Sequence, residues 1–291
     1  IPTLTFLMKQ ADKVILLSHH SDEKQTLEPV AQYLNKFFKT YFVRDIFNTE
    51  SYKENGALFL CENLRFYKEE KNNDAAFTKK LASLGEIYVN DAFAASHRTH
   101  ASIVSLPKLL PHYAGFLFEE EVKHLEAAFH PPHPFLFILG GRKADTKLAL
   151  VENFIDIADH IFIGGAVANN LFKAQGYEIG ISTTERISAD MEKIIGNEKV
   201  ILPEDVIVQN KKGDVAAKLL NAVLPDEKIL DAGPKSLRTL VRLIEESAFV
   251  VWNGPLGVFE NGFEKSTIDM IHMFKQSKAR KLVGGGDTVA A

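Results

Sequence analysis

Cysteine is almost absent from this chain, and long apolar runs and a basic excess are missing as well. Cys61 is the only cysteine, so no disulfide can form within the chain, as is usual in the reducing cytosol. No stretch approaches the ~20 consecutive apolar residues of a membrane span. The net charge of −4 does not favour a nucleic-acid partner. We therefore expect a cytoplasmic protein that binds neither nucleic acid nor membrane.

The two common nucleotide-binding fingerprints are also missing. The sequence contains no G-x-x-x-x-G-K-[ST] loop and no G-x-G-x-x-G followed by an acidic residue. Their absence excludes an ordinary P-loop protein and a recognisable dinucleotide dehydrogenase. Cys61 follows the apolar run 57–60, and we expect a buried thiol at the end of a strand rather than a catalytic group.

Short apolar runs alternate with helical patterns along the chain. Most runs are continuous, which is typical of parallel strands buried on both faces. The predicted strands are 14–17, 57–60, 87–89, 135–139, 161–163, 200–202 and 249–251, and the predicted helices include 27–38, 148–157 and 237–246. This alternation predicts an α/β fold with doubly wound, Rossmann-like parallel sheets. The 291 residues exceed what one core usually spans, so we expect two such domains.

The segment 118–129 does not fit the alternation. Its sequence, FEEEVKHLEAAF, begins with acidic residues and has apolar residues near helical spacing, and the prolines that follow at 131, 132 and 134 cannot continue a helix. We interpret 118–130 as a helix that joins an N-terminal domain, residues 1–117, to a C-terminal domain, residues 131–291. A surface helix within one domain is the alternative that the pattern leaves open.

A glycine run near the end of the chain follows a predicted strand at 281–283. Gly284, Gly285 and Gly286 precede Asp287 and Thr288 at a predicted helix start. Glycines let the backbone approach a phosphate closely, and free N–H groups at a helix start favour anions. Asp287 would repel a bare phosphate, but a Mg²⁺ ion between them reverses that sign. Helix capping explains Asp287 equally well, but it does not explain three consecutive glycines.

Two further strand-to-helix turns have phosphate-binding character. The turn GGRKADTK at 140–147 carries Lys143 and Lys147, which are four residues apart and lie near one helix face. Lysine is a compact charge suited to transferring phosphates. A solvated basic helix start is the alternative interpretation. Gly164 and Gly165 form the third turn, which is a weak signal by itself.

Three polar segments of the first half also follow predicted strands, namely SHH at 18–20, ENLRF at 62–66 and NDAFAASHRTH at 90–100. Ligands of doubly wound sheets bind at the carboxyl ends of strands, so we expect these segments to converge. Arg65 and Arg98, with several imidazoles, suit an anion that has carboxylate and phosphate groups. A zinc site at His97 and His100 is the competing interpretation, although no HExxH motif or cysteine ligand accompanies them.

Taken together, these motifs resemble the phosphoglycerate kinase family and follow that family's order. The matching segments are SH (18–19), ENLRFY (62–67), VNDAFAASHRTHAS (89–102), AGFLFEEE (114–121), ILGGRKADTKL (138–148), IFIGGAVAN (161–169), DAGPKS (231–236), VVWNGPLGVFE (250–260) and VGGGDT (283–288). The last two are highly specific in that order. The resemblance implies a monomeric enzyme of glycolysis that transfers a phosphoryl group reversibly from 1,3-bisphosphoglycerate to ADP, giving 3-phosphoglycerate and ATP, with Mg²⁺.

The resemblance also implies roles for individual residues. Arg65 and Arg98 would hold the 3-phosphate of the glycerate, and His19 would lie in the same basic patch. Lys143 would be the catalytic cation near the transferring phosphoryl group. The nucleotide would be bound by Lys147, Gly164, Gly165, Asn253, Glu260, Gly285, Gly286, Asp287 and Thr288, and Asp287 would also hold the metal.

The chain departs from the family pattern in three places. The family's opening strand, with its substrate loop, and a nearby catalytic arginine do not precede Ile1, and the chain stops at Ala291 before a later glycine-rich loop. The family's SHLGRP loop is shortened here to Ser18-His19-His20-Ser21-Asp22, without its arginine. We therefore expect a fragment of a longer reading frame. A nucleotide-binding remnant without catalysis and a different acyl-phosphate kinase on a similar fold are the alternative hypotheses.

Overall fold

The computed structural model describes residues 1–186, 191–258, 262–286 and 288. Its contacts divide the chain into two compact units, Ile1–Lys123 and His124–Ala291. The predicted helical segment 118–129 lies within a helix over Phe116–Phe129, and the boundary between the units falls inside that helix. The domain limits given above, and the role of this helix as the connection between domains, stay a prediction.

The first unit contains two small parallel sheets. Its strands are β1 (Lys13–Leu16), β2 (Thr40–Val43), β3 (Ala57–Cys61), β4 (Tyr88–Asn90) and β5 (His112–Ala114). Its helices are α1 (Pro2–Gln10), α2 (Glu28–Leu34), α3 (Lys68–Lys71) and α4 (Ala75–Ala82), and α5 (Phe116–Phe129) crosses into the second unit. The first sheet has the order β1-β3-β2, and β4 pairs with β5.

The central strand β3 anchors the core of this unit. All five of its residues are buried, because helices and loops cover both faces of the sheet, which is why its sequence is continuously apolar. Cys61 ends this strand as a buried thiol, as expected, and accepts or donates a 3.2 Å hydrogen bond with Tyr52. Burial raises the pKa of Cys61 to about 11, so the thiol is protonated and unreactive at neutral pH.

The second unit is built on a larger parallel sheet. Its strands are β6 (Phe135–Leu139), β7 (His160–Ile163), β8 (Val200–Ile201), β9 (Asp205–Gln209), β10 (Val215–Leu219), β11 (Lys228–Ala232), β12 (Phe249–Asn253) and β13 (Arg280–Gly284). Its helices are α6 (Ala144–Phe154), α7 (Gly165–Ala174), α8 (Met191–Ile195), α9 (Pro234–Glu246) and α10 (Lys265–Gln276). Five strands form an all-parallel sheet in the order β13-β12-β6-β7-β8.

Alternate side chains of β6 enter two different cores. Phe135 and Phe137 pack with α6 and α7 residues on one face of the sheet, and Leu136 and Ile138 pack with α9 and α10 residues on the other. This two-sided burial agrees with the predicted doubly wound α/β class. The sequence did not predict the antiparallel sheet β10-β9-β11 that lies beside it. No helix among the described residues is long and apolar enough to cross a membrane.

Candidate active site

The segment after β1 is shaped by Asn63, a fully buried residue of the ENLR motif. Its side-chain oxygen accepts hydrogen bonds from the backbone N–H groups of His20 (3.2 Å) and Arg65 (3.1 Å). Its amide nitrogen donates to the carbonyl oxygen of Gln25 at 3.0 Å. One buried amide therefore fixes the shortened loop at 18–22 against the turn that carries Arg65.

Arg65 lies against the same loop. Its Nη1 donates to the carbonyl oxygens of His20 (3.0 Å) and Ser21 (3.1 Å), so the guanidinium is held in place by the backbone. Arg98 is exposed, on the segment after β4. Both arginines lie close enough to His100 for their charges to lower its pKa. Arg65 and Arg98 therefore lie near His100.

Glu70, in α3, is a fully buried carboxylate that the sequence analysis did not single out. Its Oε1 lies 2.7 Å from His19 Nε2 and accepts a 2.6 Å hydrogen bond from the Ser102 hydroxyl. Its Oε2 accepts from the Ser102 backbone N–H at 3.1 Å. Within the charged run KEEK nothing distinguishes Glu70 from its exposed neighbour Glu69, because the groups that bind it are 51 and 32 positions away.

His100 completes what we call the histidine–glutamate cluster, made of His19, Glu70 and His100. The two imidazole rings meet edge to face with centroids 5.0 Å apart. His100 Nδ1 is buried 3.9 Å from Glu70 Oε1 and has no hydrogen-bond partner among the described residues. Burial is the main cause that lowers the pKa of His100; the charges of His19, Arg65 and Arg98 lower it further, against the opposing effect of Glu70. Neutral imidazole is therefore favoured at this position.

The zinc interpretation that paired His97 with His100 is wrong in its choice of residues. Within the described chain the structure groups His100 with His19 and Glu70 instead. His97 is exposed three residues before the buried His100.

The glycine-rich turns of the second unit meet at the carboxyl ends of β6, β7 and β12. Gly140 N–H donates to the Asn253 carbonyl (2.9 Å), and Gly141 N–H donates to the Pro255 carbonyl (2.7 Å). The turn after β7 joins them, since a Cβ built on Gly165 would lie 2.5 Å from Gly141 N. Only glycine permits this approach, and Gly165 also has a positive φ of 62°.

Lys147 and Lys143 occupy different environments at this point. Lys147 Nζ donates to the Asn253 side-chain oxygen (2.7 Å) and to its backbone carbonyl (3.2 Å), which ties α6 to the end of β12. Lys143 is exposed at the start of α6. The backbone N–H of Ala144, in the first turn of that helix, donates to the carboxylate of Glu185 at 2.8 Å. Glu185 is thus an anion at a helix N-terminus, and no motif in the sequence predicted this position.

The final glycine run is joined to the end of β12. The Thr288 hydroxyl accepts a 3.0 Å hydrogen bond from Gly254 N–H. Gly285 has a φ of 95°, and a Cβ on Gly286 would meet no atom of the described residues within 4 Å. The predicted residues Glu260 and Asp287 lie outside the described part of the chain.

A small pocket lies beside the turn after β7. Most of its lining is apolar, and the lining includes Gly165, Phe172, Leu230, Asp231, Leu256, Val258 and Asn169. Asn169 donates to the Thr183 carbonyl at 3.3 Å, but its side-chain oxygen is buried without a partner among the described residues. No sequence pattern beyond Gly164 and Gly165 predicted this pocket, because its walls come from separate elements.

Comparison with known proteins relates this chain to one family over its whole length. The sequence model of the family described as phosphoglycerate kinase matches residues 1–291. A phosphoglycerate kinase of Caulobacter vibrioides (strain NA1000 / CB15N) is 38% identical over 321 aligned residues, which cover 100% of this chain and 81% of the relative. One of Coprothermobacter proteolyticus is 37% identical over 313 residues and is matched over 80% of its length.

Solved structures of phosphoglycerate kinases also resemble this chain. The phosphoglycerate kinase of Coxiella burnetii superposes with a TM-score of 0.83 at 34% identity, covering 99% of this chain and 79% of that one. The enzyme of Pyrococcus horikoshii OT3 gives 0.82 at 27% identity, covering 100% and 80%. These similarities confirm the predicted α/β fold with two doubly wound, Rossmann-like domains. They also favour a kinase over a nucleotide-binding remnant without catalysis.

Proposed function

Because this chain belongs to the phosphoglycerate kinase family, we propose that its residues divide the reaction between two half-sites, one for the glycerate and one for the nucleotide. The reaction is the reversible transfer of a phosphoryl group from 1,3-bisphosphoglycerate to ADP. The observation that supports the division most directly is the meeting of three glycine-rich turns beside Lys147 in the second unit.

The nucleotide half-site would be formed by the turns of the second unit. Lys147 would neutralise nucleotide phosphate, and Asn253 would keep its amine in place. The backbone at Gly285 and Gly286 would approach the phosphates, and the lack of any atom of the described residues within 4 Å of a Cβ on Gly286 supports a bound anion there. Thr288 would hold this run against the end of β12. Gly164 and Gly165, together with Glu260, complete the proposed nucleotide contacts.

Mg²⁺ would be held through Asp287. A carboxylate and the neighbouring Thr288 hydroxyl are the hard oxygen donors that Mg²⁺ prefers, and the same clearance from the described residues at Gly286 supports the fit. When bound, the ion would neutralise the nucleotide phosphates. Asp287 and Glu260 belong to the family motifs and lie outside the described part of the chain.

The adenine base would occupy the pocket beside Gly165. Its apolar walls suit a flat aromatic base, and a few polar groups would set the orientation. The side-chain oxygen of Asn169, which has no partner among the described residues, would accept a hydrogen bond from a donor such as an exocyclic amino group.

The glycerate half-site would lie in the first unit. Arg65 and Arg98 would bind the 3-phosphate through charged hydrogen bonds, and His19 would border it. The loop carbonyls that hold Arg65 Nη1 support a preorganised guanidinium. Preorganisation lowers the entropy that binding costs.

The chemical step needs charge neutralisation and alignment rather than a protein nucleophile. We assign Lys143 the role of stabilising the charge of the phosphoryl group during its transfer, because it is an exposed cation at the start of α6 beside the nucleotide turns. We further place this glycolytic enzyme in the cytoplasm as a monomer.

Two substitutions separate the half-sites. Lys143→Ala should lower kcat by about 10²–10³-fold, as for removal of a preorganised transition-state donor, while the affinity for Mg-ADP changes little. Arg98→Ala should weaken 3-phosphoglycerate binding and leave Mg-ADP binding intact. Calorimetry of both ligands and a coupled assay measure these effects.

Lys212→Ala removes an exposed lysine in a turn of the same unit as Lys143 and serves as the matched control, with no change expected in any of these measurements. The assignment fails if Arg98→Ala weakens Mg-ADP binding while 3-phosphoglycerate still binds normally.

A further inference from the structure

We propose that the histidine–glutamate cluster of His19, Glu70 and His100 binds a single Zn²⁺ ion. The three residues come from three separate segments of the first unit: the loop after β1, helix α3, and the residue before a helical turn at Ala101–Ser105. Their potential ligand atoms all lie within 4.8 Å of one another. Zinc binding at this cluster does not depend on the function proposed above.

Hydrogen bonding alone does not account for the whole cluster. The carboxylate of Glu70 is satisfied by Ser102 and His19. His100 Nδ1 is buried, faces the same carboxylate oxygen at 3.9 Å and has no partner among the described residues. A metal ion at this point would give that nitrogen a partner, whereas an ordinary hydrogen-bond network leaves it without one.

The distances suit a small ion. Ligands at ~2.0–2.1 Å from a tetrahedral ion are separated by roughly 3.3 Å. The separations from Glu70 Oε1, 2.7 Å to His19 Nε2 and 3.9 Å to His100 Nδ1, lie on either side of that value. The ion would replace the proton shared by His19 and Glu70, so the 2.7 Å contact would lengthen and the 3.9 Å contact would shorten.

An outer hydrogen bond is already in place. The Ser102 backbone N–H holds Glu70 Oε2 at 3.1 Å, and the Ser102 hydroxyl holds Oε1 at 2.6 Å, the oxygen that faces both imidazoles. Partners of this kind orient ligating carboxylates and raise metal affinity. Ser102 therefore positions Glu70 as a ligand through one oxygen.

The ligand set decides between classes of metal. Two imidazoles and one carboxylate suit Zn²⁺ and Co²⁺, whereas Mg²⁺ and Ca²⁺ prefer all-oxygen sites. Three protein ligands leave one position for water or another oxygen ligand. Arg65 and Arg98 carry charge of the metal's own sign close to His100, so we expect a dissociation constant on the order of micromolar, weaker than in closed structural zinc sites.

Titration of the metal-free protein with Zn²⁺ in a calorimeter, and with Co²⁺ followed by its visible absorption, tests the site. One equivalent should bind, with the absorption of a tetrahedral Co²⁺ complex, and a large excess of Mg²⁺ should not displace it. His19→Ala and His100→Ala should each raise the dissociation constant at least about tenfold, because each removes a ligand.

His97→Ala is the matched control, because it removes an exposed histidine from the same segment as His100 and should leave the affinity unchanged. Glu70→Gln tests whether the carboxylate is a ligand, and circular dichroism checks that this buried variant folds. If Glu70→Gln does not fold, His19→Ala, at the rim of the cluster, still tests the metal site. Equal affinities in the wild type, His19→Ala and His100→Ala would overturn the proposal, as would binding that is lost in His97→Ala.

A further experiment, competition between Zn²⁺ and 3-phosphoglycerate, rests on the proposed function. If 3-phosphoglycerate binds beside His19, saturating glycerate should weaken Zn²⁺ binding, and Zn²⁺ should inhibit competitively with respect to the glycerate. Zinc binding that is insensitive to 3-phosphoglycerate would count against the substrate role of His19 and leave the metal site standing.

Discussion

Asp231 shows how burial changes the chemistry of a single residue. It is a buried carboxylate near the end of β11. It accepts hydrogen bonds from the backbone N–H of Ala232 (2.8 Å), the backbone N–H of Ser266 (3.2 Å) and the Ser266 hydroxyl. No ion pair with a basic side chain compensates its charge in the part of the chain that the structure describes. Burial raises the pKa of Asp231 to about 6, and these hydrogen bonds only partly oppose that effect.

This shift makes the stability of the protein depend on pH. In the unfolded chain the carboxyl ionises near pH 3.9, whereas in the folded chain it stays protonated to about pH 6. The stabilising contribution is therefore full below the unfolded pKa and is lost as the pH rises through the folded pKa. Two pKa units correspond to about 3 kcal/mol.

We predict that Asp231→Asn removes this dependence. Relative to the wild type, the free energy of unfolding of Asp231→Asn should rise by about 2–3 kcal/mol between pH 4 and pH 7, because asparagine does not ionise. Urea unfolding at several pH values measures the difference. Asp156→Asn, at an exposed site of the same unit, is the control. A wild-type-to-variant difference that stays constant across this range would contradict a raised pKa.

At the scale of elements, local sequence predicted the buried strands well. The run FLFIL predicted β6 at its observed limits, because a strand buried on both faces must be apolar throughout. The strand β10 gave no such signal, because most of its residues are exposed and it is held by pairing with β9. Helix α6 begins at Ala144, four residues before the predicted start at Leu148, in the polar part of the lysine turn.

Some residues of the candidate site could also be predicted from local sequence, and others could not. Motif residues such as Lys147 and Gly165 were predictable, because their spacing and type carry the signal. Glu70 and Glu185 were not, since each acts through groups 32 or more positions away in the chain. A carboxylate in a polar segment is locally indistinguishable from a solvated one, and only the fold decides which is buried.

Gly254 joins two elements of the proposed nucleotide half-site. Its φ is 99°, and a Cβ there would lie 2.3 Å from the Gly140 carbonyl oxygen and 2.5 Å from Lys147 Nζ. The flexible lysine amine can move, but the carbonyl belongs to the turn after β6 and cannot move without displacing that turn. Backbone strain and a steric clash therefore coincide at this residue.

We predict that Gly254→Ala lowers the free energy of unfolding by about 3 kcal/mol or more and weakens Mg-ADP binding. Gly176→Ala is the matched control, because Gly176 has a similar φ of 83° but no atom of the described residues within 4 Å of its Cβ position. That variant should cost only the strain of the left-handed backbone, about 1–2 kcal/mol, and should leave Mg-ADP affinity unchanged. Equal losses in urea unfolding would show that the close approach to Gly140 is unimportant.

At the scale of the whole molecule, each unit has cores of its own. The described core clusters each draw their residues from one unit: Phe59 lies in a core of Ile1–Lys123, and Phe137 lies in a core of His124–Ala291. Both side chains are almost fully buried on a central strand, β3 and β6 respectively. They therefore form a matched pair for testing whether the units unfold separately.

We predict that Phe59→Ala and Phe137→Ala have opposite effects on the two ligands in mild urea. Each truncation should cost about 3–5 kcal/mol in its own core, because it removes buried surface and leaves a cavity. Phe59→Ala should lose 3-phosphoglycerate binding and the amide protection of β3 first, while Mg-ADP still binds and β6 stays protected. Phe137→Ala should show the reverse. Calorimetry and hydrogen exchange measured by mass spectrometry follow both units at once. Parallel loss of protection in β3 and β6 in either variant would mean that the chain unfolds as one cooperative unit.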